Sequence, residues 1–526
     1  MRKWILAVLA LMLWAGAARS APAPASTPAE AAARILRADL DHIFADAGLG
    51  RTVVAARVVA LGAGREARVL YSLRADRPLI PASTAKLVTT AACWDRLGSD
   101  WRIRTRIGRM PAEKKGDPPD LAVLGGGDPN FSGRFYGGDP VGAFRRWAGV
   151  LKGQGLARFG RVLLDDHLFQ DEVVHPNWPA NQRQEWYEAP AGALGLNDNC
   201  VDVHLAPGKA GGPAVVRLVP ATAYVALDNQ VRTVGAKGNH RYSLVREILG
   251  AALPGMRIRA SGGYWTGAAP AVQNVAVADP TLYFGTALVE ALRAEGLTVA
   301  GPVARARLVG PEGVHPALVC DLVHTSPLDA TVAVANRNSQ GFYAECLFKL
   351  LGAFAANPRA EYGAKAPADR PRLASWETGR AEAMRWLRDR GIPAEGLVLD
   401  DGSGLSKENR LTALAVTELL SVMFERHGPG APPQDAAQGF VGTLAVAGRD
   451  GSLRSRMRNT AAEGNVYGKT GYVAGVSALS GYVRTRSGGW IAFSVLINDV
   501  PWGQLWRAKL AQDKVCIRLV DYEVTK

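Results

Sequence analysis

The sequence predicts an α+β protein in which helices and strands at both ends of the chain flank a large, mostly β block. Three observations lead there. The 526 residues exceed a typical single domain several times over, so about three compact units are expected. Hydrophobic residues make up 48% and charged residues 21%, which supplies buried cores and carries no signature of disorder. From about Ile103 to Val319, short Val- and Leu-rich runs alternate with Gly, Pro and Asp turns, whereas helical spacing recurs on either side.

Taken in order, Arg2 and Lys3 precede an apolar run from Trp4 to Trp14 and small residues ending Ala18-Arg19-Ser20, the three-part plan of a signal peptide over residues 1–20. The run is too short for a bilayer, which needs about 18 to 20 apolar residues, so export to the periplasm or cell envelope is expected. Residues 21–33, rich in Ala and Pro, read as a tether, and apolar residues recur at helical spacing from Ala29 to Phe44. Thr52 to Ala60 and Ala67 to Ser72 read as strands. A helix begins near Ser83 and is stopped by Gly98. Further helical patterns cover Leu328 to Phe354, Glu377 to Arg390 and Leu411 to Glu425. Strands at Val476 to Val483 and Trp490 to Asn498 and a last helix within Trp502 to Tyr522 complete the chain.

The net charge is +14, with Arg2, Lys3 and Arg19 of the leader contributing three of those charges. The basic residues are scattered rather than clustered, and export removes nucleic acid from reach, so a polyanionic envelope surface is the partner expected. Five cysteines, Cys93, Cys200, Cys320, Cys346 and Cys516, show neither CxxC nor zinc spacing; buried free thiols are expected, with one disulfide left open. The eight histidines form no HxxxH, so neither a metal nor a cofactor is expected.

Chemistry concentrates in three places. Ser83-Thr84-Ala85-Lys86 is an S-x-x-K run at a helix start, where i and i+3 share a face and backbone N–H groups point toward a developing oxyanion. A serine is a weak nucleophile until a neighbour takes its proton, which a lysine does only when its neutral form is favoured. Lys469-Thr470-Gly471 leads into a late strand: the lysine offers a cation for a carboxylate, the threonine a hydroxyl, and the glycine close approach to the strand edge. With S-x-x-K in the same chain order, this fits a serine acyl-enzyme site. Between them, Asn336 to Glu345 occupies the place of an S-x-N turn between two helices, at Ser339.

Together these residues resemble the D-alanyl-D-alanine carboxypeptidase/endopeptidases of the low-molecular-mass class C penicillin-binding proteins. The resemblance spans residues 35–520 and rests on motifs at residues 81–86, 125–129, 193–200, 338–345, 401–406 and 468–471. It implies a serine β-lactamase/transpeptidase-like domain, an antiparallel sheet with helices on both faces, formed by 34–102 and 320–526. The 103–319 insertion would carry a second small domain nested at about 200–275. It further implies that Ser83 attacks the penultimate D-Ala carbonyl of a peptidoglycan stem peptide, releasing D-Ala or opening a cross-link, and that β-lactams acylate the same serine. Lys86 would be the base, Ser339 the proton relay, and Lys469, Thr470 and Gly471 the carboxylate site. Backbone N–H groups of Ser83 and Tyr472 would form the oxyanion hole.

Two positions depart from the family. Gly341 stands where the third motif ends in Asn, removing an amide that in relatives contacts substrate and the catalytic lysine, and Tyr472 replaces a commoner Thr. Gly341 motivates an alternative, an envelope-binding protein of the same fold with impaired turnover. Other residues read as structural: Ser403 lacks a G-x-S-x-G elbow, Asp128 lacks a following G-K-[ST], and His324 stands beside a helix start. Asp165 and Asp166, adjacent on a strand, point to opposite faces and so do not pair as glycosidase carboxylates; one of them could face a substrate peptide.

Overall fold

The computed structural model describes residues 27–62, 65–170, 172–250, 252–427 and 439–523. The expected signal peptide and residues 21–26 of the tether lie outside them.

Helix α1 (Pro28–Asp46) opens with a reciprocal cap. The Thr27 hydroxyl accepts from the Glu30 N–H, the Glu30 carboxylate accepts from the Thr27 N–H, and Pro28 sits in the first turn. Residues 28–33, assigned to a tether by composition, are therefore helical; the cap outweighs the Ala/Pro bias. Strands β1 (Val53–Gly62) and β2 (Arg65–Leu73) follow, then a 3₁₀ turn over Ala82–Ala85 and helix α2 (Lys86–Leu97) ended by Gly98.

The inserted segment has strands β3 (Arg102–Met110) and β4 (Asp120–Leu124), helix α3 (Gly142–Gly153) and strand β5 (Val162–Asp165). Then come β6 (Cys200–Ala206), β7 (Val215–Val219), β8 (Val225–Val234), β9 (Arg241–Ile248), β10 (Met256–Trp265) and β11 (Ala271–Ala276). Helix α4 (Pro280–Ala294), β12 (Val303–Arg305) and β13 (Val319–Pro327) close it. The inserted segment is mostly β, as expected, and also carries the two helices α3 and α4. Both serve a five-stranded sheet of order β12-β5-β4-β3-β13, whose β4/β5 and β5/β12 pairs are parallel and so need crossovers. Strands β6 to β11 form two separate three-stranded sheets, β9-β10-β8 and β11-β6-β7.

The chain leaves and re-enters the helical region through neighbouring strands. Arg102 at the start of β3 faces Pro327 at the end of β13, and the Leu328 N–H donates to the Trp101 carbonyl at 2.9 Å. After re-entry come α5 (Leu328–Arg337), α6 (Gly341–Phe354), α7 (Trp376–Asp389) and α8 (Ala413–His427). Strands β14 (Ala445–Val446), β15 (Val466–Val473), β16 (Val476–Arg484) and β17 (Trp490–Asn498) lead to helix α9 (Leu505–Val520).

These strands build a six-stranded antiparallel sheet of order β14-β15-β16-β17-β1-β2. The period-2 alternation of strands sends neighbours into different cores. Val58 packs with Leu36 and Leu40 of α1 and Val515 and Leu519 of α9, whereas Val59 belongs to the cluster built from α2, α6 and α8. Helix α6 is buried at every position, as an apolar-all-round helix must be. It carries only two charged residues, Glu345 and Lys349, one turn apart.

All five thiols are free; Cys93, Cys200, Cys346 and Cys516 are buried as expected. Cys320 is exposed instead, because β13 is an outer strand of its sheet. Among the described residues no helix is long and apolar enough to cross a membrane.

Because Leu347 has no solvent exposure and sits in the core around α6, Leu347→Ala should destabilise the protein by about 2–5 kcal/mol. Denaturant unfolding followed by tryptophan fluorescence would read this as a lower midpoint at unchanged slope.

Candidate active site

The 3₁₀ turn before α2 is fixed by Thr84, whose N–H and hydroxyl both donate to the Pro81 carbonyl, at 3.2 and 2.6 Å. Ala82 takes a left-handed conformation there, with φ 47°, a sparsely populated region for a residue with a Cβ. Ser83 therefore sits half-buried in the turn rather than in the α-helix, with Lys86 as the first α-helical residue. Lys86 Nζ lies 3.1 Å from Ser83 Oγ and donates to the Ser403 carbonyl at 2.7 Å. The lysine is 2% exposed.

Burial pushes the Lys86 amine down to about 8, against the opposing pull of the Glu345 and Asp401 carboxylates. That is the condition a lysine needs to act as a base near neutral pH.

Ser339 occupies the break between α5 and α6, also in a left-handed conformation, with φ 57°. Lys469 Nζ, fully buried on β15, donates to Ser339 Oγ at 2.7 Å and to the Thr470 carbonyl at 2.8 Å. Burial first, and then the charge of Lys86, hold the Lys469 amine well below the ordinary lysine range. The two amines thus share one centre. The Thr470 hydroxyl donates to Ser452 Oγ at 2.9 Å.

Strand β14 pairs with β15 only at Gly468 and Tyr467, which leaves the edge of β15 from Lys469 onward without a neighbouring strand. A Cβ at Gly471 would meet the Pro81 carbonyl oxygen at 2.7 Å and the Thr84 nitrogen at 3.2 Å, so only glycine lets this edge lie against the Ser83 turn. The backbone of Gly471 and Tyr472 is thereby set beside Ser83, with the Tyr472 side chain exposed. Every residue expected at the site, Ser83, Lys86, Ser339, Lys469, Thr470, Gly471 and Tyr472, lies around this one cleft.

Gly341 begins α6, and a Cβ there would stand 3.3 Å from the Tyr187 carbonyl oxygen, which belongs to the inserted segment. Besides Ser83 Oγ, Lys86 Nζ meets the Ser403 carbonyl, and position 341 supplies no side-chain amide.

Two features escaped the sequence reading. Ser403 is in a turn as expected, yet its carbonyl is the contact for Lys86. Glu345 lies in a motif the sequence displays but had no role; a carboxylate inside an otherwise apolar helix was the available signal. It accepts from the Gly402 N–H at 3.0 Å, the Ser403 N–H at 2.8 Å and the Trp376 indole at 2.7 Å.

The remaining candidates are structural. Asp165 accepts from the Leu308 and Val309 N–H groups and the Tyr362 hydroxyl. Asp166 accepts from the Thr281 hydroxyl and pairs with Arg305. Asp128 is buried, accepting from the Asn130 N–H. His324 lies within β13 rather than at a helix mouth, stacked near Phe131 and Trp147 and held neutral by burial, which pushes it down to about 4. Among the described residues no cluster of His, Cys, Asp and Glu is arranged to hold a metal.

Comparison with known proteins gives the family and the fold. Residues 36–512 match the model of the D-Ala-D-Ala carboxypeptidase 3 (S13) family. A D-alanyl-D-alanine carboxypeptidase of Actinomadura sp. (strain R39) is 33% identical over 93% of this chain and 85% of its own length. The D-alanyl-D-alanine carboxypeptidase DacB of Haemophilus influenzae is 23% identical over 81% of this chain and 82% of its own. The crystal structure of penicillin binding protein 4 from Haemophilus influenzae superposes with a TM-score of 0.70 at 22% identity, covering 93% of this chain and 99% of that one, so the fold is shared. With the S-x-x-K turn, the interhelical serine and the K-T-G edge in one cleft, the chain belongs to the D-Ala-D-Ala carboxypeptidase 3 (S13) family and is a serine-type peptidase.

Proposed function

We propose that the protein is an exported serine D-alanyl-D-alanine carboxypeptidase/endopeptidase that acts on peptidoglycan stem peptides and cross-links through a Ser83 acyl-enzyme. The observation that carries the reading is the 3.1 Å contact between Ser83 Oγ and a buried Lys86 amine pushed down to about 8. At neutral pH a usable fraction of that amine is unprotonated and within reach of the serine proton.

In this reading Ser83 Oγ attacks the penultimate D-Ala carbonyl as its proton passes to Lys86 Nζ. The oxyanion forms against the N–H groups of Ser83 and Tyr472, preorganised donors of a kind whose loss costs about 10² to 10³ in rate. Ser339, hydrogen-bonded to Lys469, relays the proton taken by Lys86 to the departing amine as the C–N bond breaks, so that Lys86 is neutral and Ser339 unchanged once the ester is formed. The terminal carboxylate is held by Lys469 in its charged form together with the Thr470 hydroxyl, and water then cleaves the ester to free Ser83.

A β-lactam carries a carboxylate and a strained acyl group in the same relation, so it acylates Ser83 and is released slowly. A related penicillin binding protein 4 from Haemophilus influenzae has been crystallised with a β-lactam. Export accords with the leader and with a substrate outside the cytoplasm. The basic surface suits an anionic envelope.

Incubation with purified cross-linked muropeptides, read by mass spectrometry, should show loss of terminal D-Ala and conversion of dimers to monomers, both abolished by Ser83→Ala. Fluorescent penicillin bound at Ser83 without either product would favour the envelope-binding alternative. Acylation by benzylpenicillin should rise with pH and level off above about 8, falling about tenfold per unit below, because only the neutral Lys86 amine accepts the proton. Ser339→Ala should slow D-Ala release by about 10² to 10⁴ while leaving the fold intact.

A further inference from the structure

The loop at residues 400–406 is tied to α6 by a single carboxylate. Glu345, with no exposed surface, accepts the N–H groups of Gly402 and Ser403, and its third partner is the Trp376 indole on α7. The carbonyl of that same Ser403 is the contact for Lys86 Nζ, and the neighbouring Gly402 carbonyl accepts from Thr89 of α2. The loop also presses directly on the nucleophile's turn: a Cβ at Gly404 would meet the Ala82 carbonyl oxygen at 1.9 Å. Three donors converge on the two Glu345 oxygens at 2.7 to 3.0 Å and fix the 401–402 and 402–403 peptide units, while the 403–404 unit that carries the Ser403 carbonyl is held by the Gly404 N–H, which donates to Asp401 at 2.7 Å.

We propose that Glu345 is a positioning residue of this enzyme: it anchors the loop from which the Ser403 carbonyl meets Lys86 and, by its charge, sets how readily that amine gives and takes a proton. The inference rests on Lys86 being the base.

The charged surroundings are few and can be named. Lys86 of α2 faces Ser83, Glu345 of α6, Asp401 of the loop and Lys469 of β15. Glu345 faces Asp401, and Lys349 stands one turn along the same helix with its amine 3.8 Å from the Trp376 ring centre. Behind Asp401 lie His175, Asp400 and Arg380. Asp401 is already held by the Gly404 and Ser406 N–H groups, Trp178 and Asn409. Burial, reinforced by Asp401, pushes the Glu345 carboxyl up to about 7.

Because the Glu345 charge favours protonated Lys86, removing it lowers the Lys86 pKa. Glu345→Gln should therefore move the rising limb of benzylpenicillin acylation to lower pH by about one unit. Its single acceptor oxygen should lower the plateau about tenfold or more, as misplacement of a catalytic group does. Glu345→Asp retains the charge but withdraws it by one methylene, so its plateau should fall with the limb in place.

A purely structural role would lower folded protein in both variants with the limb unmoved, and that result would overturn the proposal. Should Glu345→Gln not fold, Trp376→Phe carries the test. It removes a donor that favours the charged carboxylate, so the limb should again move to lower pH; an unmoved limb in the folded variant overturns the proposal. If Lys86 is not the base, the wild-type protein lacks the limb from the outset, which separates failure of the mechanism from failure of this inference.

Discussion

Two lysine side chains shut away from water, in one centre that also holds two buried carboxylates, impose the constraint around which this active site is organised. An isolated buried ammonium is far too costly, so such a group pairs, neutralises or both. Lys86 does both: its charged form is favoured by Glu345 and Asp401, and burial favours the neutral form more strongly. Lys469 is pushed down first by burial and then by the charge of Lys86, and it is fixed by hydroxyl and carbonyl oxygens rather than by a carboxylate.

Each amine is placed by a different part of the chain, and this explains why the fold needs its long insertion close at hand. Trp178 and Asn177 of the inserted segment donate to Asp401 and Asp400, and His175 contacts the Asp400 carbonyl at 3.0 Å. The Tyr187 carbonyl fills space in front of Gly341. The insertion thus forms a wall of the site and braces the loop whose Ser403 carbonyl holds Lys86. Its exit and return through the paired strands β3 and β13 attach it to both α2, which carries Lys86, and α5, which leads into the break that holds Ser339.

The cleft was largely legible in the sequence because its parts are short motifs with local physical reasons. S-x-x-K needs only a helix start, K-T-G only a strand edge, and Ser339 only a break between helices. What could not be read was long-range. Glu345 and Ser403 are 58 residues apart and acquire their meaning from a hydrogen bond between them. In the insertion, the Asp279 cap and Pro280 signal α4, yet the surrounding Val-rich runs gave the block a β character; α3, which begins and ends in glycine, offered no such signal. At the N-terminus the Thr27/Glu30 cap prevailed over an Ala/Pro-rich composition.

The most direct test of the account is a pH titration of the Lys86 amine by NMR in protein carrying isotope-labelled lysine, assigned by comparison with Lys86→Arg. The account predicts a midpoint near 8, more than two units below the ordinary lysine value of 10.5. A midpoint at or above that ordinary value would leave Ser83 without a base at neutral pH and contradict it.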